Sequence, residues 1–74
     1  MTNVNKIIDK MNRQPNGIRM AEADKVLQIN GYIFSRQKGS HRNYINKKGD
    51  VITIKDESPL KAIYVKDILS RIEK

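Results

Sequence analysis

His41 is the only histidine in this chain of 74 residues, and it follows Gly39 and Ser40 between the cations Arg36, Lys38 and Arg42. The run from Lys25 to Gly49 around it holds six Lys or Arg and no Asp or Glu. An imidazole, with an ordinary pKa of about 6.5, takes or gives a proton near neutrality. A turn glycine, a hydroxyl and three cations beside it suit a polyanion as the substrate of that proton chemistry. A lone histidine is more often a surface or capping residue, so it is the acid-free basic surroundings that single this one out.

The rest of the composition narrows the classes. A formal net charge of +7 and a sequence pI near 9.9 call for an acidic partner: nucleic acid, an anionic membrane surface or an acidic protein. The absence of cysteine excludes disulfides, thiolate metal sites and a cysteine nucleophile. With one imidazole and no thiol, a zinc site would have to draw nearly every ligand from carboxylates, so no metal and no cofactor is expected. No stretch is apolar enough to span a bilayer or to act as a secretory segment, which makes the cytoplasm the expected compartment. The length suits one domain over residues 1–74.

The elements that must hold His41 follow from periodicity. Val4, Ile7, Ile8 and Met11 fall at i, i+3, i+4 and i+7 and predict a helix over residues 3–13, with Thr2 or Asn3 as its N-cap and Pro15-Asn16-Gly17 as its stop. A second helix is predicted from Met20 to Ile29, with Met20, Ala23, Val26 and Leu27 on one face and Asn30-Gly31 as a left-handed C-terminal cap. From Tyr32 the period becomes two: Tyr32, Phe34 and Arg36 alternate with Ile33, Ser35 and Gln37, and Lys38-Gly39 turns the strand. Residues 41–46 form the next strand, with Asn43 and Ile45 opposite Arg42, Tyr44 and Asn46. After the turn Asn46–Asp50, the β-branched run Val51-Ile52-Thr53-Ile54 predicts a third strand. Val65, Ile68, Leu69 and Ile72 predict a closing helix over residues 63–73. The sum is an α+β fold of order α-α-β-β-β-α: a three-stranded antiparallel meander, helices packed on one face, the other face open.

Gly31-Tyr32, the segment Arg36-Gln37-Lys38-Gly39-Ser40-His41, the strand Val51–Ile54, and Lys61 followed by Tyr64-Val65-Lys66-Asp67-Ile68-Leu69 resemble, in order and spacing over roughly residues 20–73, the HicA family of mRNA interferase toxins. The resemblance implies a double-stranded-RNA-binding-like fold and a metal-independent endoribonuclease acting on mRNA. It also implies inhibition by a HicB-type antitoxin, with a monomeric toxin inside a larger complex. Carried onto this chain, the catalytic histidine is His41 and the glycine and serine of the motif are Gly39 and Ser40. Many members have a proline, often with a nearby histidine, just after the third strand, where this chain has Lys55-Asp56-Glu57-Ser58. The helix over residues 3–13 is also extra, as in a longer branch of such toxins.

The chemistry is consistent with one histidine. RNA carries its own nucleophile, the 2′-hydroxyl, so a base that removes that proton and cations that stabilise charge around phosphorus are enough to cleave it. Arg36, Lys38 and Arg42 are the expected phosphate contacts, with Gly39 and Ser40 at the turn and Lys61 and Lys66 extending the basic surface. Tyr44, Lys38 or solvent could protonate the leaving 5′-oxygen. Tyr32, Phe34 and Tyr44 could stack on bases, although an apolar strand makes core packing the better expectation for Phe34. Two alternatives stand beside the nuclease: a non-catalytic RNA-binding module of the same fold, and a basic adaptor for an acidic protein.

Overall fold

The computed structural model describes residues 4–72. The elements in chain order are α1 (Val4–Arg13), a 3₁₀ turn (Pro15–Gly17), α2 (Met20–Ile29), β1 (Ile33–Lys38), β2 (His41–Ile45), β3 (Val51–Lys55) and α3 (Ala62–Ile72). The expected N-cap at Thr2 or Asn3 and the last helical residue, Glu73, lie outside the described residues. The sheet is antiparallel throughout, in the order β1-β2-β3.

Each helix contributes the stripe its spacing dictates. Ile7 and Met11 of α1, Ala23, Val26 and Leu27 of α2, and Val65 and Ile68 of α3 are buried together with Ile18, Tyr32, Tyr44, Ile52, Ile54 and Leu60. α2 ends as the Asn30-Gly31 pair predicts. Gly31 adopts φ +89, and the Tyr32 and Gly31 amides donate to Leu27 O (2.9 Å) and Gln28 O (3.1 Å), which closes a Schellman cap and aims the chain straight into β1. Between α1 and α2, Glu22 accepts from the Arg19 amide at 3.0 Å and pairs with Lys10 at 3.2 Å. Burial alone would raise the Glu22 carboxyl, but these two donors outweigh it and hold the carboxyl below its ordinary value.

The helix layer covers the β2–β3 half of the sheet. Tyr44, Ile52 and Ile54 are buried beneath it, while all six residues of β1 are exposed. This reverses the expectation for Phe34, whose ring lies against Tyr44 and Arg42: it is 45% exposed, whereas Tyr32 and Tyr44 are the aromatic residues in the core. An apolar residue on an edge strand is buried only if a second layer extends over it, and that is not encoded locally.

A polar clamp locks the far end of the meander. The Tyr32 hydroxyl donates to Asp50 Oδ2 at 2.5 Å, and Arg71 reaches Asp50 at 2.6 Å and Asp67 at 3.0 Å. The bond to Asp50, added to by burial, raises the Tyr32 phenol above its ordinary value. Asp50→Ala is expected to destabilise the domain by about 2 kcal/mol, because it strands a buried hydroxyl and removes the carboxylate shared with Arg71. For a domain of this size that is a fall in Tm of roughly 10 °C, measurable by circular dichroism.

Candidate functional site

The β1–β2 hairpin fixes His41. Lys38 pairs with His41 across a two-residue loop, Gly39-Ser40, with Gly39 at φ +60. Glycine at the first central position with positive φ is the mark of a type II′ turn, whose twist matches the strands it joins. The Gln37 side chain donates to Gly39 O at 3.0 Å. On the other side the Asp56 amide donates to Ser40 O at 2.5 Å. The turn is therefore tied from both neighbouring segments. A Cβ on Gly39 would meet nothing within 4 Å, so the loop backbone is open to an approaching phosphate while its φ disfavours any other residue.

Register decides which side chains share His41's face. Cross-strand partners lie on the same side of a sheet. His41 is opposite Lys38 on β1 and Lys55 on β3; the next row is Arg36–Asn43–Thr53, and the one beyond it is Ile33–Ile45–Val51. The Thr53 hydroxyl donates to Asn43 Oδ1 at 2.7 Å, as residues of one row should. All three rows belong to the open face, since Tyr44, Ile52 and Ile54 fill the opposite one. His41 is exposed at one end of that face, with cations on both flanks. The apolar row lies about 14 Å further along β2.

A bulge between Phe34 and Arg36 makes this face possible. Simple alternation keeps Arg36 and Lys38 on the side of Phe34, away from His41. Ser35 is the extra residue, and by changing the parity of the strand it transfers both cations to the face of His41 while Phe34 stays behind.

Arg42 goes the other way. It sits on the helix side, its guanidinium carbon 4.6 Å from the Phe34 ring centroid and 5.7 Å from that of Tyr44. Its Nε donates to the Tyr44 hydroxyl at 3.2 Å, and its Nη2 lies 3.8 Å from Asp24. The Tyr44 hydroxyl in turn donates to Asp24 Oδ1 at 2.5 Å, and Gln28 donates to Asp24 Oδ2 at 2.8 Å. Burial first, and the Asp24 bond second, push the Tyr44 phenol up to about 12. Arg42, Tyr44, Asp24 and Gln28 thus pin β2 to α2 beneath the site, and the Tyr44 proton faces away from any leaving group held at His41.

Lys61 and Lys66 stand on the helix layer. The Lys61 carbonyl accepts the Tyr64 amide at 3.0 Å as α3 begins, and Lys66 is exposed on α3. Of the residues singled out in the sequence, the open face therefore brings together His41, Lys38, Arg36 and the Gly39-Ser40 turn, and it leaves Arg42, Lys61 and Lys66 elsewhere. Lys55 is the residue that sequence reasoning missed. Its signal was available in principle, since a meander with turns at 39–40 and 46–50 sets residue 55 against residue 41.

Among the described residues no group of three or more His, Cys, Asp or Glu gathers in a way that could hold a metal ion, and no helix is long and apolar enough to cross a membrane. No curated protein and no solved structure matches the chain. Residues 20–73, which hold α2, the whole sheet and α3, match the family model of the HicA toxin of bacterial toxin-antitoxin systems, and the chain belongs to that family.

Proposed function

We propose that this toxin is a metal-independent endoribonuclease that cleaves mRNA with His41 as general base and is held inactive by a HicB-type antitoxin. The observation that carries the reading is the placement of His41, alone among imidazoles, on an open sheet face between Lys38 and Lys55, with Arg36 in the next row. A phosphodiester laid over this face has a base at the 2′-hydroxyl and cations at the non-bridging oxygens. Gly39 and Ser40 bound the entry to that position, and their backbone leaves room for a phosphate. Asn43 and Thr53 continue the same surface with hydrogen-bonding groups suited to sugar and phosphate.

Arg42 supports this site from behind by fixing β2 on α2. Lys61 and Lys66 extend the positive field of the molecule and steer RNA towards it, in keeping with the net charge of +7. The cations mark an affinity that falls with salt, each phosphate contact adding about one unit to the slope of log affinity on log salt.

The test is cleavage of a defined RNA by the purified protein. Cutting is expected to persist in excess chelator, because base and cations are all the mechanism uses, and to leave a 2′,3′-cyclic phosphate, because the nucleophile is internal. A single 2′-deoxy substitution at the cut site should block it. Activity that vanishes in chelator and returns with a divalent ion overturns the mechanism. Binding without cleavage points instead to an RNA-binding module, and no RNA binding even at low salt points to a basic adaptor.

A further inference from the structure

Lys55 is the direct cross-strand partner of His41. Their Cβ atoms stand on one face at the spacing of an antiparallel pair, about 5 Å. The pairing does not fray there, because the ladder continues one step further through the Asp56 amide and Ser40 O at 2.5 Å. Lys38 flanks His41 from the opposite side but projects from the exposed edge strand beside the turn. Lys55 is more constrained: its side chain is 38% exposed, and its ammonium lies 3.9 Å from Glu57 Oε2. At that distance the ion pair is loose enough to exchange a carboxylate for a phosphate oxygen. The other Glu57 oxygen is buried without a hydrogen-bond partner among the described residues, so the carboxylate is set into the protein on one side and holds Lys55 on the other.

We propose that Lys55 is the second catalytic residue of this site, its ammonium stabilising the negative charge that builds on the non-bridging oxygens as the phosphodiester reacts. The inference rests on the endoribonuclease reading above. In the step itself His41 takes the 2′-hydroxyl proton, the 2′-oxygen forms its bond to phosphorus, the bond from phosphorus to the 5′-oxygen breaks, and that oxygen takes a proton from solvent. Lys55 contributes charge rather than a proton. Arg36 lies one row away, about 7 Å along the strands, and serves the neighbouring phosphate. Glu57 is a positioning residue that holds the ammonium loosely until a phosphate oxygen takes the place of its carboxylate.

A charge that acts in the transition state separates from one that only holds substrate by its kinetic signature. With a short RNA bearing one cut site, Lys55→Met is expected to lower kcat about a hundredfold. KM, and affinity for the same RNA blocked by 2′-deoxy substitution, should stay within about threefold. Lys55→Arg should recover most of the rate by restoring a cation in the same row. Lys55→Gln serves as the second variant should the methionine form fail to fold. An unchanged kcat, or a loss confined to affinity with kcat intact, overturns the proposal. A wild-type protein that does not cut, or a folded His41→Ala protein that cuts as fast as wild type, overturns the underlying nuclease reading instead.

Discussion

His41→Ala is expected to abolish RNA cleavage and to relieve the growth arrest expected when this chain is expressed without an antitoxin. The sole imidazole of the chain is, among the described residues, the side chain of the open face whose type is suited to accept a proton near neutrality. Removing a positioned general base typically costs up to about 10⁴-fold in rate. A loss of about a thousandfold corresponds to roughly 4 kcal/mol of transition-state stabilisation. The fold should not suffer, because His41 is exposed and outside the hydrophobic core, and surface changes of this kind are usually within about 0.5 kcal/mol. RNA affinity should also survive, since Arg36, Lys38 and Lys55 remain. The measurement pairs growth after induction with circular dichroism and an RNA-binding curve for the variant. A folded His41→Ala protein as toxic as wild type removes His41 from the mechanism, whereas a drop in affinity in a protein that never cut marks a binding module.

The parts of this molecule that were legible in the sequence are those specified by neighbours along the chain. The stripes of α1, α2 and α3, the Gly31 cap and the β-branched run of β3 each lie within a dozen residues, where period and turn chemistry decide the outcome. The same holds for the Gly39-Ser40 turn. Alternation within β2 also put Asn43 and Ile45 on the face away from Arg42, and it is this local rule that separates Arg42 from His41 although the two are adjacent in sequence.

What could not be read belongs to relations between strands and layers. The bulge at Ser35 gives the two ends of β1 different parities, and no residue type announces it. The exposure of Phe34 depends on how far the helices extend over the sheet. Lys55 joins the site only through the pairing of β2 with β3, fourteen residues along the chain from His41. Edge strand, bulge and cross-strand lysine are therefore set by the tertiary fold. They turn a basic segment flanking a histidine into a face with two cations in register with it.

Antitoxin binding is expected to be abolished most effectively at the apolar end of that face, far from His41. Ile33 is 64% and Val51 48% exposed, and Ile45 lies between them in one row. Arg36, Lys38 and Lys55 follow on one side, and Lys47 and Lys48 stand in the turn that leads from β2 to β3. A row of aliphatic side chains rimmed by cations fits an acidic partner that anchors through apolar contacts and covers His41 as a consequence. Replacing Val51 by aspartate places a like charge against such a partner and removes an anchor, which should weaken binding by at least about a hundredfold, chiefly through faster dissociation. Neutralising Lys47 and Lys48 should act differently, lowering the association rate and flattening its salt dependence. Arg42 belongs to the opposite face, so its neutralisation should affect stability more than association. The decisive experiment titrates purified antitoxin into a complex of RNA with the His41→Ala protein, in which cleavage cannot confuse the signal. Occlusion requires that RNA leave as antitoxin binds. A stable ternary complex, or a Val51→Asp protein that binds antitoxin as tightly as wild type, moves the interface off the open face and leaves inhibition to a route that does not cover the histidine.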